Sequence, residues 1–182
     1  MSRDEAIKLV DEHIKDERHR KHVLAVEAIM RALARRLGED EELWGLVGLL
    51  HDLDYEETKD SMERHGLLAA EWLRGKLPDE ALEAIKAHNE LTGVTSDSRL
   101  ANALRAADQA SGLIVATALV MPSRKLKDVK VKSVLKKFKQ KDFARGVNRD
   151  KIRLAEKLGL TLEEFFQIAL EGMQAIAGEL GL

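Results

Sequence analysis

The sequence predicts an all-α protein, folded as a single-domain helical bundle. Apolar residues recur at steps of three and four along almost the whole chain, and no segment alternates strictly enough to predict a strand. The only prolines, Pro78 and Pro122, leave long stretches free to form helices. The length of 182 residues and the 45% share of hydrophobic residues are typical of one globular domain with a substantial core.

Before Pro78 the periodicity predicts four helices, over about residues 3–14, 19–37, 40–53 and 62–75. Ser2 caps the first helix, Gly38 ends the second, and Ser61 caps the fourth. The third helix is apolar on nearly all sides, which predicts a central position in the bundle. The polar segment 54–60 is predicted to be a loop.

Pro78 fits the first turn of a fifth helix, which ends near His88. The next helix is long, is capped by Asp97 or Ser98, and is predicted to end near residue 120. The remaining residues are expected to form three short helices. Their start and stop signals are Asn148, Gly159 and the capping box Thr161-Leu162-Glu163-Glu164.

Composition excludes several classes of protein. The chain has no cysteine, so disulfides, thiolate zinc sites and cysteine nucleophiles are ruled out. The N-terminal residues lack a signal-peptide pattern, and no apolar run approaches the ~20 residues that span a membrane. We therefore expect a cytoplasmic protein without a membrane partner.

A set of histidine and aspartate side chains lies on faces that the periodicity directs inward. The doublet His51-Asp52 directly follows the apolar run 46–50, where charged groups are costly to bury unless they are paired, hydrogen-bonded or bound to a metal. The other candidates are His22, His65, His88 and Asp108. Helices that converge would bring these groups to one interior point, with room for one or two divalent cations. Imidazole and carboxylate ligands suit Mn, Fe, Co, Ni or Zn. The simpler interpretation is that each is a separately hydrogen-bonded core residue.

The order His22, His51-Asp52, Asp108 resembles the H…HD…D signature of the HD superfamily of metal-dependent phosphohydrolases. His65 and His88 look like the two extra histidines of its binuclear members. The subgroup called HDIG opens with His-Asp-Ile-Gly, whereas this chain has Leu53-Asp54 at the last two positions. The resemblance covers about residues 18–120, the metal-site core, with residues 121–182 as a helical extension of the same domain.

The resemblance implies an HD-type bundle and two metal sites. One cation would be held by His22, His51, Asp52 and Asp108, and a second by His65 and His88, with Asp52 bridging the two. Such cations would activate a water molecule for attack on phosphorus. The implied activity is hydrolysis of a phosphoric monoester or diester, with a nucleotide as one candidate substrate. The alternatives are a di-iron oxygenase of the binuclear HD type and a nucleotide-binding module without catalytic activity.

Residues close to these ligands in sequence are candidates to assist catalysis beside Asp52. Asp54 and Glu56 could orient a ligand histidine or transfer a proton. Basic side chains that could hold phosphate oxygens are Lys59, Arg64 and Lys86. The expected partner is a small phosphorylated substrate, and formation of a homodimer is a second possibility.

The segment from Arg124 to Arg149 carries eleven Lys and Arg residues against two Asp, within a chain of net charge −2. Its cationic side chains surround Val131, Val134, Leu135 and Phe138, which predicts an amphipathic helix. This surface is interpreted as solvated or as an electrostatic funnel for an anionic substrate. Nucleic acid is a less favoured partner, because aromatic residues are few and no recognition motif is present.

Three further residues are not interpreted as part of the site. His13 and His19 lie among charged residues and are expected to be solvated. Gly112 is expected to permit close packing between helices.

Overall fold

The structure, a computed structural model that describes residues 1–182, contains eleven α-helices and no β-strand. The predicted all-α class is therefore confirmed. The helices are α1 (Arg3–His13), α2 (Glu17–Leu37), α3 (Glu41–Leu50), α4 (Tyr55–Thr58), α5 (Leu67–Trp72), α6 (Asp79–Ala87), α7 (Arg99–Leu119), α8 (Val131–Lys139), α9 (Arg149–Ile152), α10 (Leu162–Ala175) and α11 (Ala177–Leu180). None of them combines the length and the apolarity that crossing a membrane requires.

The two longest helices, α2 and α7, form the centre of the molecule. Helix α2 packs against α3, α7 and α10, and α7 also contacts α6, α8 and α9. A continuous hydrophobic cluster runs from Ala6 in α1 to Leu180 in α11, so the C-terminal helices share the core of the first half. As predicted, α3 is central, because every residue from Trp44 to Leu50 is buried.

Glycines allow helix backbones to touch on two sides of α2. A Cβ atom at Gly48 of α3 would lie 2.9 Å from the carbonyl oxygen of Val26, and one at Gly172 of α10 would lie 2.9 Å from that of Ala28. Both distances are shorter than real Cβ atoms tolerate, so any larger residue would push the helices apart. This close approach places the end of α3, and with it His51, against α2.

The region between α3 and α5 differs from its prediction. Helix α3 ends at Leu50 rather than 53, the predicted loop 54–60 contains the helical turn α4, and the predicted helix 62–75 is broken. Its first part is the 3-10 helix Met62–Arg64, and α5 begins only after Gly66, whose φ of +99° interrupts helical geometry. Ser61 makes no side-chain capping bond.

The C-terminal third contains more helical segments than the three that were predicted. They are α8 to α11 together with the 3-10 helices Leu126–Asp128 and Arg153–Leu158. The amphipathic pattern of α8 is confirmed, since Val134 and Phe138 are buried while most of its lysines are exposed. Arg149 connects α8 to α9 by donating hydrogen bonds to backbone carbonyls, including those of Phe143 at 2.6 Å and Gln140 at 2.9 Å.

Candidate metal centre

The six predicted ligand residues converge from five separate segments of the fold. His22 lies on α2, His65 precedes α5, His88 follows α6, and Asp108 lies on α7. His51 caps the C-terminal end of α3. The chain then continues in turns rather than as a helix, so Asp52 can point to the same place as His51 although the two residues are adjacent in sequence. The donor atoms form two groups that share Asp52, and within each group they all lie within 4.8 Å of one another.

The first group pairs two histidines with two carboxylates. His22 Nε2 lies 2.9 Å from Asp108 Oδ1 and 3.4 Å from Asp52 Oδ2. His51 Nε2 lies 3.3 Å from Asp108 Oδ1 and 3.4 Å from Asp52 Oδ2. The His51 side chain is fully buried, whereas that of His22 is 28% exposed, so this group can be reached from solvent beside His22.

The second group uses the other oxygen of Asp52. Its Oδ1 lies 3.0 Å from His65 Nε2 and 3.2 Å from His88 Nε2. The two oxygens of one carboxylate thus face two different pairs of histidines. This is the arrangement that a bridging ligand between two cations requires.

The Nδ1 atom of each of the four histidines has a partner outside the cluster. A backbone carbonyl can only accept, so the rings bonded to one must carry their hydrogen on Nδ1 and present Nε2 to the cluster. The partners are Ser111 Oγ for His22, the Gly48 carbonyl for His51, Asp54 Oδ1 for His65 and the Ile85 carbonyl for His88. Such partners fix the ring orientation of metal-ligating histidines.

The donor set fits a divalent cation. His65 and His88 place their Nε2 atoms 3.1 Å apart, and both face Asp52 Oδ1. If both rings are neutral with Nδ1 protonated, three lone-pair donors face one another without a hydrogen between them. A cation or bound protons must therefore compensate this repulsion, and nitrogen with oxygen ligands suit a first-row transition metal.

Without a metal, the cluster compensates its charges by protonation. Burial of His22 and His65 opposes their charged forms, yet hydrogen bonds to the carboxylates outweigh it and raise the pKa of each to about 9. Burial likewise opposes the charged form of His51, but the negative charge of Asp52 and the hydrogen bond to Asp108 raise its pKa. Burial of Asp52 and Asp108 opposes ionisation, but the neighbouring histidines lower the pKa of both. A cation that binds here must displace protons from these imidazoles.

Asp54 is completely buried and orients a candidate ligand. Its Oδ1 accepts from His65 Nδ1 at 2.8 Å, and its Oδ2 accepts from the backbone N–H groups of Gly66 and Ala69 at 2.8 and 2.9 Å. The carboxylate therefore fixes both the orientation of the His65 ring and the position of the first turn of α5. Of the two functions considered for Asp54 from sequence, the geometry favours orientation over proton transfer.

The other predicted assisting residues form no hydrogen bond or ion pair with the cluster. Lys59 and Arg64 are exposed and form no ion pair, so their contact with phosphate stays a prediction. Lys86 pairs with Glu83. Glu56 does not orient a ligand histidine, because its carboxylate accepts from the backbone N–H groups of Lys15 and Asp16 and holds the start of α2.

His19 is a member of the site that the sequence interpretation missed. Its Nε2 lies 2.9 Å from Asp52 Oδ2, and its side chain is only 15% exposed, so the expectation of a solvated residue is wrong. The ring also packs against Tyr55 at 4.7 Å. His19 precedes His22 by three residues and so shares its helix face, which is the signal that could have identified it. His13 is likewise not simply solvated, because it stacks on Trp72.

The basic segment reaches α7 at the residue directly after Asp108 and again one turn beyond it. The backbone N–H of Asn148 donates to Gln109 Oε1 at 2.9 Å, and a Cβ atom at Gly112 would lie 3.6 Å from Val147. Gly112 therefore faces a loop and an open cavity rather than a packed helix, which corrects its predicted function. This placement brings the end of the cationic segment close to the candidate metal centre.

Comparison with known protein families gives a match to the part of the chain that contains the candidate metal centre. The sequence model of the HD domain matches residues 20–113, which is just over half of the chain and includes all six candidate ligands. No curated protein and no solved structure matches the chain.

Proposed function

This chain belongs to the HD domain family, and from that premise we propose that it hydrolyses a phosphoric monoester or diester with bound divalent cations. Residues His22, His51, Asp52 and Asp108 would hold one cation, and Asp52, His65 and His88 would hold the second. When bound, such cations lower the pKa of a water molecule and stabilise negative charge on the phosphoryl group.

The observation that carries the proposal is the position of Asp52 between two histidine pairs. Its Oδ2 faces His22 and His51, and its Oδ1 faces His65 and His88. A single structural cation would not need a carboxylate shared between two pairs of histidines. The protein would contribute orientation, because each ring is held through Nδ1 and cannot turn away when the substrate arrives.

The candidate ligands differ in their exposure to solvent, and this difference indicates the side from which a substrate would approach. His51, His65 and His88 are buried, whereas His22 is more exposed than the other ligands. A small phosphoester would approach beside His22, where α2 and α7 leave a cavity. The cationic segment that ends near Gln109 would raise the local concentration of anions.

Anaerobic purification with elemental analysis, followed by a screen of phosphorylated metabolites, tests the proposal. Protein stripped with a chelator and reloaded with Mn²⁺, Fe²⁺, Co²⁺, Ni²⁺ or Zn²⁺ should release phosphate or a nucleoside monophosphate, and the stripped protein should not. Asp52→Asn should lower kcat/KM by roughly 100-fold or more, because it removes the shared charge.

Asp60→Asn is the matched control, since it removes an exposed carboxylate that forms no ion pair. Full activity of stripped protein would reject the proposal. Iron content with oxygen consumption and no ester hydrolysis would instead favour the oxygenase chemistry known for some binuclear members of the family.

A further inference from the structure

A cavity of about 460 Å³ adjoins the candidate metal centre at His22. Its size lies within the usual range for pockets that bind small molecules. The lining residues come from α2, α7 and the C-terminal end of the chain, and are Arg18, Lys21, His22, Ala25, Ser111, Gly112, Val115, Ala116, Leu119, Leu180, Gly181 and Leu182.

The α7 side of the cavity is long, and its side chains beyond Ser111 are apolar. Its α7 residues run from Ser111 to Leu119, and the eight steps along the helix between them correspond to ~12 Å. The hydroxyl of Ser111 already donates to the Asp108 carbonyl at 2.8 Å and contacts His22 Nδ1. No further polar side chain lies along this wall, so the α7 side of the cavity has no other side-chain group to hydrogen-bond a ligand. At its outer end Leu119 is 40% exposed.

Two cations without ion-pair partners line the α2 side of the cavity. Neither Arg18 nor Lys21 forms an ion pair, although Arg20 between them binds Asp11 at 3.0 Å. Arg18 precedes His22 by one helical turn, so it faces the same side of α2. Positive charge on the α2 side, within one helical turn of His22, and apolar side chains on the α7 side are complementary to a molecule with an anionic head and an apolar tail.

We propose that this cavity binds the organic group of an amphiphilic phosphoester. The phosphate lies between His22 and the cations Arg18 and Lys21, and an elongated alkyl or aryl group extends along α7 towards Leu119. The inference rests on the proposed function and names its substrate class. A nucleobase, which needs hydrogen-bonding partners, fits this cavity less well than a hydrocarbon chain of similar length.

Alkylphosphonates test the cavity without depending on turnover, because their carbon–phosphorus bond is not a phosphoester. Calorimetry with the Mn²⁺-loaded protein should show affinity rising from methyl- to butyl- to hexylphosphonate, by up to about fourfold for each methylene that is buried. Gly112→Leu should abolish this dependence on chain length, since a Cβ atom there has room and the longer side chain enters the cavity. Ala116→Leu is a second blocking variant should the first unfold.

Gly178→Leu is the matched control, because Gly178 is exposed, outside the cavity, and has nothing within 4 Å of a Cβ atom. It should keep the chain-length dependence. Equal affinity for all three phosphonates, or an unchanged series in both blocking variants, would overturn the inference even if phosphate release is observed. A concentration-dependent dimer that Gly112→Leu disrupts would also overturn it, since a second copy would then occupy the cavity. Chain-length dependence without hydrolysis of any ester would support the cavity as a ligand site and reject the proposed function alone.

Discussion

At the scale of single residues, Asp54 shows how one buried carboxylate can organise a ligand set from outside. Both oxygens are occupied by three donors from His65, Gly66 and Ala69. The same contacts that orient a histidine also begin a helix. A substitution at Asp54 should therefore weaken metal binding and lower stability together.

We expect Asp54→Asn to weaken metal binding at the group of Asp52, His65 and His88 by roughly 10- to 100-fold. The amide presents an NH₂ group to at least one of the three donors, so a buried N–H loses its acceptor. The free energy of unfolding should fall by about 1–3 kcal/mol. Chelator competition and urea unfolding measure the two effects, with Asp60→Asn as the control. Unchanged metal affinity in Asp54→Asn would refute the orienting function.

At the scale of secondary structure elements, the contact between α2 and α3 determines where His51 lies. Gly48 lets the two backbones approach, and its carbonyl accepts from His51 Nδ1 at 2.7 Å. Glu27 of α2, at the same contact, is buried and receives hydrogen bonds from Arg3 and Arg31. Backbone contact and buried hydrogen bonds thus fix the position of α3 against α2 on the side that carries the candidate ligand.

Gly48→Ala should destabilise the protein by about 1–3 kcal/mol, because the added Cβ atom overlaps the α2 backbone. The same change at Gly112 of α7 meets only Val147 at 3.6 Å, so it should stabilise the helix by about 0.5–1 kcal/mol. Thermal unfolding of both variants gives the comparison. If the two substitutions shifted stability in the same direction, the close approach of α2 and α3 would not be the determining contact.

At the scale of the whole molecule, the metal centre exists only when five distant segments have come together. Its charged groups therefore couple folding to protonation and to metal binding. In the metal-free protein the pKa of His22 and His65 is about 9, above the ordinary value of 6.5. Their contribution to stability is complete below pH 6.5 and is lost as the pH rises through about 9.

The melting temperature of chelator-treated protein should consequently fall between pH 6.5 and pH 9.5. Protein saturated with Mn²⁺ should lose less stability over this range, because the cation binds the unprotonated imidazoles. Differential scanning calorimetry of both forms, with the double variant His22→Gln, His65→Gln as the control, measures the difference. A melting temperature of the metal-free protein that stays constant or rises over this interval would contradict the assignment.

Much of the candidate site could be predicted because helical periodicity and residue chemistry are local properties. The inward stripes of α2 and α7 placed His22 and Asp108 on buried faces, and the apolar run before His51-Asp52 predicted its burial. The break at Gly66 could not be predicted, because it depends on hydrogen bonds that Asp54 makes to residues twelve and fifteen positions away.

The amino-acid sequence by itself determined the all-helical class, the order of the six candidate ligands and the family to which they belong. Only the tertiary structure decided that His19 contacts Asp52, that Asp54 holds His65, and that α2, α7 and the C-terminal residues line a cavity whose α7 side is apolar. The reason is physical: a helix face follows from neighbours three and four residues apart, whereas these contacts join separate segments whose relative position helical periodicity does not determine.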